Sequence, residues 1–202
     1  MNPFNTILAL VAAALIMKFW ISDYKAWKKG TPFERALPGA TDAPMKLIVL
    51  SALVSAGIVL VETAGEYAMG VTKEQSTMPV YYLVAIVCAG IIEEVLFRGY
   101  CVIQSKGKKA LYASIVFFSI VFALIHGHLL AKSPDGNGFQ LVLAPAPLWW
   151  TFILIVNSLW WYAVRFMPQN KNRSLLPCFA GHIAGNVTVF VVKLAQGYVS
   201  WS

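Results

Sequence analysis

Ionisable side chains set inside apolar stretches constrain this chain more than any other feature. The run Ile91-Ile92-Glu93-Glu94-Val95-Leu96-Phe97-Arg98 carries two acids and a base between hydrophobic residues. His126 ends the run Phe122-Ala123-Leu124-Ile125-His126, and His182 and Asn186 frame His182-Ile183-Ala184-Gly185-Asn186. Composition says what surrounds them. The chain is 58% hydrophobic and 12% charged across 202 residues, whereas a soluble domain is roughly 45–50% apolar and about 25% charged. So little charge cannot clothe a globule of this length in water. Ionisable groups at membrane depth are costly and mark function or a tightly paired structural site.

The pattern predicts an all-α polytopic membrane bundle of six spans, at approximately 4–21, 45–69, 79–103, 110–131, 147–167 and 174–197. Residues 1–44 form a first transmembrane helix and a basic surface connector, and residues 45–202 form the transmembrane core. The opening Met1-Asn2-Pro3-Phe4 has no basic stretch, and Lys18, Lys25, Lys28 and Lys29 follow the apolar run. That segment therefore reads as a retained helix rather than a cleaved signal. The connector at about 22–44 mixes Tyr24, Trp27 and Phe33 with Lys25, Lys28, Lys29 and Arg35. It suits either the headgroup layer or a polar linker. Pro134 and Asp135 mark a turn in the fourth connector, and Pro145 and Pro147 precede the fifth span.

The net charge of +7 lies in the connectors. This points to anionic lipids and excludes nucleic acid as a partner. The odd connectors hold eleven basic residues: Lys25, Lys28, Lys29, Arg35, Lys46, Lys106, Lys108, Lys109, Arg165, Lys171 and Arg173. Connectors two and four hold Lys73 and Lys132. The odd connectors are therefore expected in the cytoplasm and both termini outside. Cys88, Cys101 and Cys178 have no paired spacing and read as packing residues.

Helix geometry separates the two acids. Glu94 and Arg98 are four apart and face one another as an ion pair. Glu93 lies about 140° around the helix from Arg98, which leaves it as the working carboxylate. His182 and Asn186, also four apart, share a face. At about 1.5 Å per residue, Glu93 lies roughly 20 Å from Lys106, His126 about 26 Å from Lys109 and Asn186 about 20 Å from Arg173. Three helices thus bring polar groups towards one depth, where they can share a cavity. A carboxylate there can take a proton from water, His126 can hold that water, and His182 with Asn186 can stabilise an oxyanion. Hydrolysis of an amide by activated water uses all four.

His128, two residues from His126, points to the opposite face and reads as interfacial. Glu62 and Glu66 share one face of the second span near its outer end and read as snorkelling or paired groups, with lining of the cavity as the alternative. Trp149, Trp150, Trp160 and Trp161 read as interfacial and lipid-facing residues.

Glu93-Glu94-Val95-Leu96-Phe97-Arg98 resembles the EExxxR motif of the CAAX protease and bacteriocin-processing family. Phe122–His126 resembles its FxxxH motif and His182–Asn186 its HxxxN motif, in the family's order, within residues 79–190. The resemblance implies a glutamic intramembrane endopeptidase related to the type II CAAX prenyl proteases. Glu93 and His126 would activate water, His182 and Asn186 would form the oxyanion hole, and Glu94 and Arg98 would give structural support. It implies a cavity reached from the cytoplasm, in what would be a bacterial plasma membrane. The substrate would be a membrane protein or peptide, possibly prenylated, and no metal or cofactor is called for. A zinc peptidase using Glu93, His126 and His182, or a non-catalytic membrane partner such as a bacteriocin-immunity protein, remain alternatives.

Overall fold

The computed structural model describes residues 3–133 and 138–201; the turn expected at Pro134 and Asp135 lies outside them, as do Met1 and Asn2. Six helical spans form one bundle. They are α1 (Pro3–Lys28), α2 (Met45–Met69), α3 (Tyr82–Glu93) with its π-helical continuation Glu94–Tyr100, α4 (Gly107–Ile125), α5 (Pro145–Phe166) and α6 (Leu176–Ala195). Five are long and apolar enough to cross a membrane; the sixth crossing is α3 together with its π-helical half. Prolines in the first turns of α5 and α6 stand where a missing N–H costs nothing. Gly70 ends α2 in the left-handed conformation, φ 73°.

The surface is that of a lipid-immersed protein. Phe4, Ile7, Leu8, Val11, Leu15 and Phe19 of α1 and Val116, Phe117, Ile120 and Leu124 of α4 all face outward. In water such continuous apolar faces mark an interaction site; along spans of this length the partner is the bilayer. The interior holds Trp20, Val95, Phe97, Phe122, Trp161, Leu175 and Phe179, and buried polar residues such as Ser51, Ser55 and Ser158. Ser51 and Ser55 of α2 face Gly181 of α6, where a Cβ would lie 2.5 Å from Ser51 Oγ. Small residues at that crossing let the two backbones approach.

The two ends of the bundle differ. Connectors one, three and five meet at one end. The Leu175 N–H donates to Gly39 O (3.0 Å), Thr41 Oγ1 to Asn172 O (3.0 Å), and Arg173 to Gln104 Oε1. Pro38 packs on Gly99. The first helix runs to Lys28, past the expected 21, because its aromatic residues Trp20 and Tyr24 stack on each other and Trp20 packs on Phe179. What remains of the connector is not a loose linker; it is strapped across the bundle end.

The opposite end gathers connectors two and four and the last residues. Met78–Pro79 (β1) pairs in parallel with Val199–Ser200 (β4), and Lys193 Nζ donates to Ser76 O at 3.0 Å. Leu130–Lys132 (β2) and Phe139–Leu141 (β3) form an antiparallel pair.

Candidate active site

The third span changes its winding between the two glutamates. Glu93 is the last α-helical residue, and Glu94 opens seven residues of π-helix, closed by Cys101 N–H donating to Leu96 O at 2.9 Å. π-helical turns are rare and occur mostly at functional sites, because the wider winding re-aims side chains and frees carbonyls. Here the Tyr162 hydroxyl lies 2.8 Å from the carbonyl oxygens of both Phe97 and Cys101. Arg165 Nη1 donates to Gly99 O at 3.3 Å.

The ion pair anticipated from spacing is present. Arg98 Nη1 lies 3.1 Å from Glu94 Oε1, and both side chains are 0% exposed. The guanidinium sits among rings, its carbon 4.5 Å from the Phe122 centroid, 4.7 Å from Trp161 and 5.1 Å from Tyr162. Aromatic faces attract a cation most strongly when water is excluded.

Glu94 also has a partner that spacing did not reveal. His182 Nδ1 lies 2.7 Å from Glu94 Oε1, so the ring donates there and presents Nε2 on its other side. Nε2 is 3.7 Å from Glu93 Oε2, whose side chain is 27% exposed. The imidazole stacks on Trp161 with centroids 4.0 Å apart and planes 13° apart. One carboxylate and one indole therefore fix this ring, and a second carboxylate faces its free nitrogen. Gly90 makes room for it: a Cβ there would stand 3.3 Å from the His182 ring. One turn along α6, Asn186 Nδ2 donates to Ile86 O at 2.7 Å, which leaves its second N–H.

His182 and Asn186 open onto a cavity of about 550 Å³, which His126 also lines. His126 follows the end of α4, exposed, with Nδ1 2.7 Å from Phe122 O. Phe122 links it to the rest, its ring 4.6 Å from His126 and 6.1 Å from His182. Glu93 stands beside His182, its Oε2 3.7 Å from Nε2. Among the described residues, no group of three or more His, Cys, Asp and Glu side chains is arranged to hold a metal ion.

Two expectations, those for His128 and Trp161, need correction. His128 lines the same cavity as His126 and lies against Trp150, centroids 5.6 Å apart. The opposite-face argument assumed a continuing helix, but α4 stops at Ile125 and Gly127 turns the chain at φ 75°. Glu62 and Glu66 also line the cavity, Glu66 accepting from Trp150 Nε1 and Gln75 Nε2, both at 2.7 Å. Trp161 is buried as the wall behind His182 rather than facing lipid, which no helical period around it foretold.

The direction in which the cavity opens sets two other expectations against each other. His182 lies about 9 Å along α6 from its basic end and Lys193 about 25 Å, and the cavity extends from one to the other. Its outer wall is Glu66, Gln75, Ser76, Tyr82, His128 and Lys193, from connectors two and four and the helix ends beside them. The expectation of cytoplasmic odd connectors and that of a cavity reached from the cytoplasm therefore concern opposite ends of the bundle.

The chain matches the family model described as type II CAAX prenyl endopeptidase Rce1-like over residues 75–188. That span contains every motif residue from Glu93 to Asn186. No curated protein and no solved structure matches it.

Proposed function

Because the chain belongs to the type II CAAX prenyl endopeptidase Rce1-like family, we propose that this intramembrane endopeptidase works by carboxylate-activated water, with Glu93 as the base. The observation that carries this reading is His182 between two carboxylates, bound to Glu94 at 2.7 Å and facing Glu93 at 3.7 Å, at the edge of the cavity. Water attacks the scissile carbonyl carbon and gives its proton to Glu93. His126 helps to hold that water from the cavity's other wall.

The oxygen of the tetrahedral intermediate takes hydrogen bonds from His182 Nε2–H and the free Asn186 amide N–H. Nδ1 is held by Glu94 at 2.7 Å, which aims Nε2 of the ring at Glu93 and the cavity edge. Preorganised donors in a water-poor site stabilise developing charge without reorganisation. On collapse the C–N bond breaks and the proton on Glu93 passes to the leaving amine. Glu94 and Arg98 act as positioning residues, holding His182 rather than touching substrate. The substrate is a membrane-associated protein or peptide, with or without a prenyl group, in a bacterial plasma membrane whose anionic lipids meet the basic connectors.

The test is cleavage of membrane-anchored and prenylated peptides by purified protein in lipid, for wild type and Glu93→Gln, with and without a chelator. Cleavage that survives the chelator and disappears in Glu93→Gln supports the reading. Cleavage that the chelator abolishes and zinc restores would replace it with a metallopeptidase.

A further inference from the structure

We infer that Asn157 of α5 binds the main chain of the substrate, as a peptide-group subsite one helical turn along the cavity from His182; this rests on the protease reading of the same cavity. Other polar side chains of α5 are well bonded. Thr151 Oγ1 donates to Pro147 O at 2.8 Å, Ser158 Oγ to Ser119 Oγ at 3.0 Å and Arg165 Nη1 to Gly99 O at 3.3 Å. The Tyr162 hydroxyl lies 2.8 Å from two carbonyl oxygens. Asn157 breaks this pattern. It is 6% exposed and lines the cavity, and its Oδ1 is buried with no hydrogen bond among the described residues. A buried polar atom without a partner is costly, the more so in a protein surrounded by lipid. Where a chain keeps such a group beside a reaction site, function accounts for it.

The position of this amide suits a peptide. Trp150, Leu154, Asn157 and Trp161 follow one another at helical spacing, and all four line the cavity. Trp161 carries the ring stacked on His182, with centroids 4.0 Å apart. Asn157 therefore stands about 6 Å along α5 from the level of the imidazole. The next helix, α6, runs the opposite way and brings Asn186 one turn from His182 in the same direction. Two amides from neighbouring helices thus border one stretch of cavity. Asn186 donates one N–H to Ile86 O at 2.7 Å, whereas nothing holds the Asn157 oxygen. An Asn side chain offers an acceptor and a donor, as a peptide group does, and a half-turn about its last bond exchanges the two. An extended chain advances about 3.3–3.6 Å per residue. Asn157 is thus placed to meet the peptide group roughly two residues from the one held by His182 and Asn186. Around it Val59, Leu154 and Val189 line the cavity with apolar surface, where a peptide group stripped of water gains most from a hydrogen bond.

The experiment uses the purified full-length chain in lipid and a membrane-anchored peptide that wild type cleaves, with each peptide bond near the cleaved one replaced in turn by an ester. The ester removes the N–H and weakens the carbonyl as an acceptor. In wild type, the ester two residues from the cleaved bond, on one side of it, is expected to lower kcat/KM by about 3- to 10-fold. Asn157→Leu and Asn157→Ala are expected to lose as much on the all-amide peptide, and the same ester is then expected to change nothing further. Removing an unpaired buried amide also removes its desolvation penalty, so the unfolding midpoint of Asn157→Leu is expected at or above that of wild type. An equal ester effect in wild type and both variants overturns the inference. So does unchanged cleavage of the all-amide peptide, or unfolding of both variants several degrees below wild type. The protease reading fails separately, through a Glu93→Gln protein that cleaves as well as wild type.

Discussion

Glu93 and Glu94 are adjacent in the chain and belong to two regions built for different purposes. Glu93 ends twelve residues of regular α-helix, is partly exposed and faces the free nitrogen of His182 across 3.7 Å. Glu94 begins the π-helical region, is fully buried and is held by both Arg98 and His182. A buried charge needs a partner buried with it, and Glu94 Oε1 has two, Arg98 Nη1 at 3.1 Å and His182 Nδ1 at 2.7 Å. Glu93 is left with the one longer contact to His182, at 3.7 Å, and stays partly exposed. The lesson is that a change of helical winding at the peptide that joins them gives two neighbouring acids unlike surroundings, and the proposed chemistry builds on that asymmetry.

That comparison can be broken most directly at Glu93. Glu93→Gln keeps the volume and removes the base, so peptide cleavage is expected to fall by about 10²–10⁴-fold. Its thermal unfolding in lipid should stay within about 0.5 kcal/mol of wild type; a strongly destabilised protein would make Glu93 structural as well. Arg98→Ala is expected to do the opposite. It leaves Glu94 buried without its counter-ion and should cost about 3–5 kcal/mol of stability. An unchanged unfolding midpoint would mean that His182 alone suffices to hold Glu94.

Smaller changes sharpen the distinction. Gly181→Ala sets a Cβ against Ser51 and Ser55 of α2 and should destabilise the helix crossing by about 1–3 kcal/mol, with cleavage by the surviving folded protein largely retained. Gly90→Ala presses more gently on the His182 ring, at 3.3 Å. A displacement of a few tenths of an ångström should lower kcat by less than about tenfold, with KM and the unfolding midpoint near wild type. If Gly90→Ala left kcat untouched while Gly181→Ala abolished it, the site would depend on the α2–α6 crossing more than on the position of the imidazole.

Much of this was legible in the sequence because it follows from local rules. Apolar runs of membrane length, interrupted by basic connectors, gave the helical bundle, and the four-residue spacing gave the Glu94–Arg98 pair. The order of the three motifs agreed with the family that the chain proves to belong to. Readings that assumed an unbroken helix failed where the helix stopped. His128 joined the cavity because Gly127 turns the chain. Trp161 became a wall of the site because α5 meets α6 there, and no periodicity within α5 encodes its partner.

The sequence by itself determined that the chain enters a membrane, which residues are too polar to face lipid, and which of its connectors carry the positive charge. Each is a property of residue type and spacing along one chain. Only the tertiary structure decided that His182 stands between Glu93 and Glu94, that Glu66 and His128 belong to the same cavity, and that this cavity extends from His182 to Lys193. Those facts depend on where one helix lies against another, and the packing of rings and small residues that sets those positions leaves no periodic trace in the sequence.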